Sequence, residues 1–522
     1  MERHVLAIDL GTSALKVALV SLGGEVVASE QEVCRVELFP GGGAEQDPEE
    51  WWALIAGASS RLMARGVVPP ESVVAVCCTA QWSGTVVVDG SGRPIRNAII
   101  WMDSRGAQYA RRITRGPVRI QGYGVDKLVR WIRKTAGIPA QSGKDPIAHI
   151  LWLKHEEPET YRSAHLFLEA KDWLNLRLTG RAAASYDSIA LHWVTDNRHP
   201  DRIRYDPKLL RLAGVERSQL PELLPATDIL GPLSPEPAQA LQVRPGIPVV
   251  VGTPDVQSAA IGSGATRDFQ PHLYVGTSSW LTCHVPFKKT DLLRNIASLP
   301  SAIPGRYFVA DDQETAGAAL TFLRDRVLFA GEAPPDAYRQ FDRMAEEAPP
   351  GSGGVIFTPW LYGERTPVED PFIRGGFHNL SLSTTREELV RAVFEGVALN
   401  ARWLLQAVER FTGRRLEPIR FIGGGARSDV WCQIFADVLD RTIEQVVDPV
   451  EANARGAGML AAVALGELTF DQVSDRVRVA RDYPADPKTK DLYDEHFREF
   501  VGLYRRNRKA HARLNRNRST IP

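Results

Sequence analysis

One pattern occurs twice in this chain, and few folds accommodate it. Residues 5–20 read VLAIDLGTSALKVALV and residues 273–285 read LYVGTSSWLTCHV. In each, an apolar run turns at Gly-Thr-Ser and returns as a second apolar run. Val5–Ile8 and Ala14–Val20 carry little polarity on either side, so they read as strands buried on both faces. A single such turn is compatible with a plain hairpin, because small polar residues make turns. Two copies, each opening a series of strands and helices, predict an α/β protein of two related halves.

The polar residues at the first joint are Asp9, Gly11, Thr12, Ser13 and Lys16. A tight glycine turn exposes consecutive backbone N–H groups, and threonine and serine hydroxyls add donors. Gly276, Thr277 and Ser278 repeat the arrangement in the second half. Two such turns facing each other across a cleft form a clamp for the polyphosphate of a nucleotide, with Lys16 adding positive charge. Asp9 would repel phosphate, so its chemistry suits a Mg²⁺ ion held through water. Neither G-x-x-x-x-G-K-[ST] nor a strand followed by G-x-G-x-x-G occurs.

A third glycine site lies in IRFIGGGARSDVWCQIFADVLD, residues 419–440, which reads as strand, triple glycine, helix. Gly423, Gly424 and Gly425 let a flat base or a ribose approach the backbone, with Ser428 nearby as a donor. A sharp strand-to-helix turn is the plainer reading. Asp255, in VVVGTPDVQSAAIGSG, follows a buried strand and opens a small-residue helix. It reads either as a helix N-cap or as a general base taking a proton from a substrate hydroxyl.

The chain has 522 residues, more than one core usually serves. Strand signals run to about residue 35. A helix follows at 47–65, with Asp47 as its cap and Pro48 at its first position. VVAVCCTA and GTVVVDG add strands, and helical patterns dominate until a proline-rich passage at 221–248. The strand pattern restarts with IPVVVGT, so the expected domains are 1–246, 247–485, and a C-terminal helix and basic tail at 486–522, with a hinge near 244–254. Formal net charge is zero, which speaks against a nucleic-acid or membrane-surface protein. Five scattered cysteines give neither a disulfide framework nor a zinc site. No apolar run is long enough to span a bilayer, and the expected location is the cytoplasm. The basic YRRNRKAHARLNRNRSTIP at the C-terminus reads as a solvated, disordered tail.

Several stretches together resemble the FGGY carbohydrate kinases, in the branch of xylulokinases: IDLGTSALKV, EQDPEEWW, IIWMDSR, LWLKHEEPETY, KDWLNLRLTGRAAASYDSIA, YVGTSSWL, LYGERTP, RAVFEGVALNARW and IGGGARSDVWCQIFADVL. The resemblance runs from about Val5 to about residue 480. It implies two ribonuclease-H-like domains of the actin-like ATPase fold with a cleft between them. It also implies ATP- and Mg²⁺-dependent phosphorylation of a sugar hydroxyl, and a homodimer, as is typical of relatives. By position, Asp9 resembles the metal-associated aspartate and Asp255 the catalytic base. Gly11, Thr12, Ser13 and Lys16 fall on the first phosphate turn, Gly276, Thr277 and Ser278 on the second, and Gly424, Gly425 and Ser428 on the adenosine segment. Gln81, Trp82 and Ser83 fall on the sugar-contacting segment, with Asp103 and Arg105 near it; an exposed turn salt bridge is the plainer reading of that last pair. In GERTP, Glu364 and Arg365 read as structural. Arg391 and Glu395, four residues apart on a helix, read as a surface pair.

The departures from the family lie on the sugar side. Xylulokinases usually carry Gly-Gln-Met-His-Gly where this chain has AQWSG, and an asparagine after the aspartate base where it has Val256. His149 stands where the family usually has lysine. The expected substrate is a ketopentose such as D-xylulose, or a related ketose or polyol. The alternatives are a kinase of another sugar, and an actin- or Hsp70-like ATPase without sugar kinase activity.

Overall fold

The structure, a computed structural model, describes residues 2–329 and 331–516. Its first half is built on strands β1 (His4–Leu10), β2 (Ala14–Ser21), β3 (Val26–Val33), β4 (Val73–Ala80), β5 (Ile229–Pro232) and β6 (Pro248–Val250), with helices α1 (Pro48–Ala64), α2 (Ala170–Thr179) and α3 (Asp255–Gly262). The sheet order is β5-β6-β4-β1-β2-β3. β1, β2 and β3 form an antiparallel meander, β4 runs parallel to β1, and β6 runs parallel to β4.

The second half repeats this plan. It contains β7 (Pro271–Val275), β8 (Ser279–Val285), β9 (Thr290–Asp291), β10 (Ile296–Pro300), β11 (Tyr307–Gln313), α4 (Arg386–Thr412), β12 (Ile419–Ile422), α5 (Asp429–Leu439), β13 (Ile443–Val446), α6 (Ala452–Ala464), β14 (Val479–Tyr483) and α7 (Lys490–Asn515). The order is β9-β10-β11-β8-β7-β12-β13-β14. β7, β8 and β11 form the antiparallel meander, and β12 and β13 continue parallel to β7 on its other side. The two Gly-Thr-Ser turns therefore join the first two strands of two equivalent sheets.

Side-chain alternation explains why these hairpins are apolar throughout. Leu6, Ile8 and Leu10 of β1 and Leu15, Val17 and Leu19 of β2 join the core that includes Trp51, Trp52 and Ile55 of α1. Val5 and Ala7, with Ala18 and Val20, face the opposite way, onto residues of α3 and α6. Period-two alternation then turns Asp9 and its cross-strand partner Lys16 toward that same inner layer. The inner core also takes in Ile422 and Val446 of the second sheet, so α3 and α6 lie between the two halves.

These two helices touch backbone to backbone. A Cβ on Gly262 would sit 1.7 Å from the Ala452 carbonyl oxygen, and one on Gly456 would sit 1.8 Å from that of Ser258. Only glycine permits that approach. The long stretch between β4 and β5 forms a mostly helical insertion with its own core, including Trp131, Ile147, Phe167 and Trp193.

Three expectations change. The expected boundary at 246/247 falls one strand early: β6 pairs with β4, Val249 opposite Val76 and Val250 opposite Cys77, and belongs to the first sheet. The insertion separates these strands so widely in sequence that their pairing leaves no local signal. Arg391 and Glu395 are not at the surface. They are buried, and Glu395 accepts from Tyr493 Oη at 2.7 Å, from Ser352 Oγ at 2.8 Å and from the Gly351 N–H at 2.9 Å.

The third change concerns the basic C-terminal stretch, which is not a disordered tail through residue 515. It continues α7, whose buried face holds Tyr493, Phe497, Phe500 and Tyr504. Phe500 packs on Trp360 and Tyr504 on Trp403, with ring centroids 5.0 and 5.2 Å apart. Asn515 Nδ2 donates to the Phe372 carbonyl at 2.9 Å. The part of this stretch at 517–522 lies outside the described residues.

Candidate active site

Three parallel strands of the first sheet end at one edge, and each delivers a polar group there. β1 carries Asp9, β4 leads into Gln81, and β6 leads through residues 251–254 to Asp255. Asp255 is the first residue of α3, whose N-cap is Pro254, so the plain N-cap reading fails. Its Oδ1 accepts the N–H of Val256 at 2.8 Å. Its carboxyl is pushed up to about 7, by burial first and then by the negative charge of Asp9, with Asp312 adding to it. Asp9 is pushed up to about 6, again by burial, although Lys16 and a long bond from Asn453 Nδ2 (3.5 Å) pull the other way. Asp9 and Asp255 thus share one space, with Asp312 near enough for its charge to act on Asp255.

The first turn is tied to its own half. Thr12 Oγ1 donates to Gln81 Oε1 at 3.0 Å and accepts from Trp101 Nε1 at 2.8 Å. Gln81 Nε2 donates to Gln46 Oε1 at 2.7 Å, and Gln46 Nε2 returns to the Thr12 carbonyl at 2.9 Å. Gly11 is partly exposed and Ser13 exposed. Lys16 differs from the sequence reading, because its ammonium is not free for phosphate. It is buried, donates to the Val450 carbonyl at 2.8 Å and lies 3.0 Å from Glu451 Oε2, at the entry to α6. Lys16 therefore bridges the two halves.

The second turn is held by backbone. The Gly276 carbonyl accepts from the Gly317 N–H at 2.7 Å, and the Thr277 carbonyl accepts from Ala316 at 2.9 Å and Ala318 at 3.1 Å. Thr277 is exposed and Ser278 partly so. Beside this turn, at the end of the adjacent parallel strand β12, stands the triple glycine. Gly423 has φ +90°, and a Cβ there would meet the Val275 carbonyl at 2.6 Å. The three glycines are not equivalent. A Cβ on Gly425 would meet Val275 Cγ1 at 2.7 Å, so that residue serves packing, whereas Gly424 faces open space. Ser428 caps α5 by accepting from the Trp431 N–H at 3.1 Å, and donates to Asp342 Oδ1 at 2.6 Å.

The sugar-side candidates separate. Gln81 is buried at the Thr12 turn. Trp82 Nε1 donates to the Ser188 carbonyl at 2.9 Å, which leaves its ring, partly buried against the insertion core, as the available surface. Ser83 has φ +71° and donates to the Lys144 carbonyl at 2.8 Å. Val256, like Asp255, is partly exposed. Asp103 and Arg105 form an ion pair as the plainer reading had it, but Asp103 is buried rather than exposed. It accepts from the N–H groups of Ala44 and Arg105, both at 2.9 Å, and from Arg105 Nε at 2.8 Å. The Arg105 guanidinium lies 3.9 Å from the Trp152 ring centre. Both groups are occupied within the protein.

A second set of charges crosses the cleft, and sequence reasoning, which read Arg365 as structural, did not bring it together. Arg365 pairs with Asp312 and donates to Glu314 from Nε (3.0 Å) and from a terminal nitrogen (2.9 Å). Its guanidinium is 5.9 Å from the Trp101 ring centre, and Lys144 Nζ is 5.7 Å from the same ring. Burial lowers the Lys144 pKa, and Arg365 lowers it further. Glu364 is structural, as expected: Asn400 Nδ2 donates to it at 2.6 Å and the Arg365 N–H at 2.8 Å. Trp101 and Arg365 lie in stretches already singled out, IIWMDSR and GERTP. Lys144 had no local signal.

Comparison with known proteins agrees with this geometry. The N-terminal domain of the FGGY family of carbohydrate kinases matches residues 4–262, and the C-terminal domain of that family matches residues 273–465. The chain is 26% identical to a xylulose kinase of Staphylococcus epidermidis, over 98% of this chain and 99% of that one. It is 27% identical to a gluconokinase of Bacillus subtilis, over 91% of each. The crystal structure of xylulose kinase from Rhodospirillum rubrum superposes with a TM-score of 0.83 at 28% identity, covering 98% of this chain and all of that one. The chain belongs to the FGGY family of carbohydrate kinases, has their actin-like ATPase fold and is a sugar kinase; an ATPase without sugar kinase activity is set aside.

Proposed function

We propose that this kinase transfers the terminal phosphoryl group of ATP to a hydroxyl of a ketopentose, or of a related ketose or polyol, with Asp255 as general base. One observation carries the reading. Asp255 is a cleft carboxyl with its pKa near neutrality, at the end of a strand beside Asp9. A base near the working pH is half ionised there, yet basic enough to take a hydroxyl proton as the oxygen attacks. The two Gly-Thr-Ser turns bind the phosphates from opposite halves. The open backbone at Gly424 receives the adenosine. A phosphate at the first turn competes with Glu451 for the charge of Lys16.

Asp9 fits a Mg²⁺ ion: its oxygens are hard donors, and burial, which pushes its pKa up to about 6, deprives the carboxylate of solvation that a cation would replace. Bound there, the ion would neutralise charge on the phosphates. The residues themselves position the hydroxyl, accept its proton at Asp255 and exclude water as the halves close. Five buried thiols suit a reducing cytoplasm.

A second reading, a sugar acid as substrate, is favoured by Lys144. Its ammonium stands in the cleft with no carboxylate at hydrogen-bonding distance among the described residues. The test for both is ADP release over ketopentoses, polyols and aldonates with the purified enzyme. Turnover of a ketose or polyol supports the first reading, preference for an aldonate the second, and ADP release independent of any sugar overturns both.

A further inference from the structure

A groove of about 500 Å³ lies away from the cleft, between α4, α7 and the segments at Leu293–Arg294 and Pro367–Val368. That volume is in the range of small-molecule sites, roughly 300–1,000 Å³. Trp403, Phe497 and Val501 give it an apolar floor, and Arg410, Arg498 and Arg505 stand along its sides. The neighbouring arginines are paired: Arg294 with Asp291 at 2.6 Å, Arg506 with Glu499 at 3.0 Å, and Arg402 with Asp494. By contrast, Arg410, Arg498 and Arg505 have no ion pair or side-chain hydrogen bond among the described residues.

Three like charges around one concavity repel one another, and no carboxylate among the described residues pairs with any of them. An anion would do so, and the floor would cover an organic body. The guanidinium fork matches phosphate oxygens in two-point contact. A groove of this volume suits a small molecule better than a protein segment. We infer that the groove between α4 and α7 is a second binding site, separate from the catalytic cleft, for a small organic phosphate carrying at least two negative charges. A nucleotide and a sugar phosphate both offer this chemistry.

The test compares the full-length enzyme with its Arg410→Ala/Arg498→Ala/Arg505→Ala variant by isothermal titration calorimetry. ADP and ribose 5-phosphate are the two probes. None of the three arginines belongs to the cleft, so kcat for sugar phosphorylation should stay within twofold of wild type, which also reports folding. The expected result is that at least one probe binds wild type at a site whose affinity falls tenfold or more in the variant. Loss for ADP alone identifies a nucleotide site, and loss for ribose 5-phosphate alone a sugar-phosphate site. Equal binding of both probes to both proteins overturns the inference, as does no binding outside the cleft. So does a change in sedimentation mass of the variant with no change in probe binding, which would assign the groove to contact between two copies of the chain.

Discussion

The two Gly-Thr-Ser turns have the same sequence and the same topological place, but they are embedded differently. The threonine side chain of the first is bonded on both sides, to Gln81 and to Trp101, and Gln81 continues to Gln46. The second is held through backbone alone, and Thr277 is exposed with its hydroxyl unbonded among the described residues. The first turn is thus part of the wall that also carries the sugar side, and the second is a free-standing grip. The same division holds for the sheets. The first supplies Asp9 and Asp255, which the proposed function assigns to the metal and the base. The second supplies Gly424 and the Thr277 turn, which it assigns to the nucleotide. On that reading the two turns share a sequence, and their surroundings tie one of them to the sugar side.

The division breaks most visibly at Asp255. Asparagine keeps the size and can still accept the Val256 N–H, but it takes no proton. General-base help is worth ~10²–10⁴ in rate. Asp255→Asn should lose about that much in kcat while nucleotide affinity changes little; a variant keeping more than about a tenth of the rate would remove the base assignment. In wild type, kcat/KM should rise with pH through about 7, as the carboxyl loses its proton. Asp9 titrates nearby, so the profile belongs to the pair. Stability should move the opposite way. The folded-state pKa of Asp255 is raised, so ionising it costs folding free energy, fully above about pH 7 and not at all below the ordinary carboxylate range. Thermal melts should therefore show Asp255→Asn more stable than wild type at pH 8 and equal to it near pH 4.

The two threonines test the comparison directly. Thr12→Val leaves the Trp101 N–H and the Gln81 carbonyl oxygen without partners, and an unsatisfied buried group costs ~1–3 kcal/mol. We expect a loss of roughly 10–100-fold in kcat/KM, felt in the KM for both the sugar and ATP. Thr277→Val breaks no bond within the protein. It should raise the KM for ATP by roughly tenfold or less and leave that for the sugar unchanged. Equal effects on both substrates from both variants would show that the turns are interchangeable after all.

The turns were legible because each is local: a glycine, two hydroxyls and apolar runs within sixteen residues. The strand-to-helix turn at Gly423–Gly425 and the helix capped by Asp47 were legible for the same reason. β6 was assigned to the wrong half, because its pairing with Val76 and Cys77 is made across the whole insertion. Lys144, Trp101 and Arg365 come from three separate segments and meet only through tertiary packing, so no spacing announces them. Lys16 was read as a phosphate ligand from its position in the hairpin, and its tie to Glu451 needs the second half in place. The last turns of α7 read as a tail because arginines crowd the stretch in which Tyr504 and Asn515 are buried.

The smallest expected effect probes the sugar side of the first wall. A polyhydroxylated substrate must replace its hydrogen bonds to water with bonds to the protein, and each hydroxyl left unmatched costs ~1–3 kcal/mol. Val256 stands beside the base with an N–H committed to Asp255 and a side chain that offers neither donor nor acceptor. The Trp82 N–H is likewise committed, to Ser188, and the Ser83 hydroxyl to Lys144. These three of the positions where the chain departs from the xylulokinase pattern therefore give apolar surface rather than free polar groups. A sugar ring or chain can lie against indole, which offsets part of the deficit. D-xylulose should be a poor substrate for wild type, and one with fewer or differently placed hydroxyls toward Val256 a better one. Val256→Asn restores one donor and one acceptor, and should raise kcat/KM for D-xylulose roughly tenfold relative to the best wild-type substrate. Steady-state kinetics on D-xylulose, D-ribulose and a polyol, for both proteins, measures the ratio. A wild-type kcat/KM for D-xylulose above about 10⁴ M⁻¹s⁻¹ would show that the pocket meets those hydroxyls through other groups, with Lys144 and Arg365 the first donors to examine.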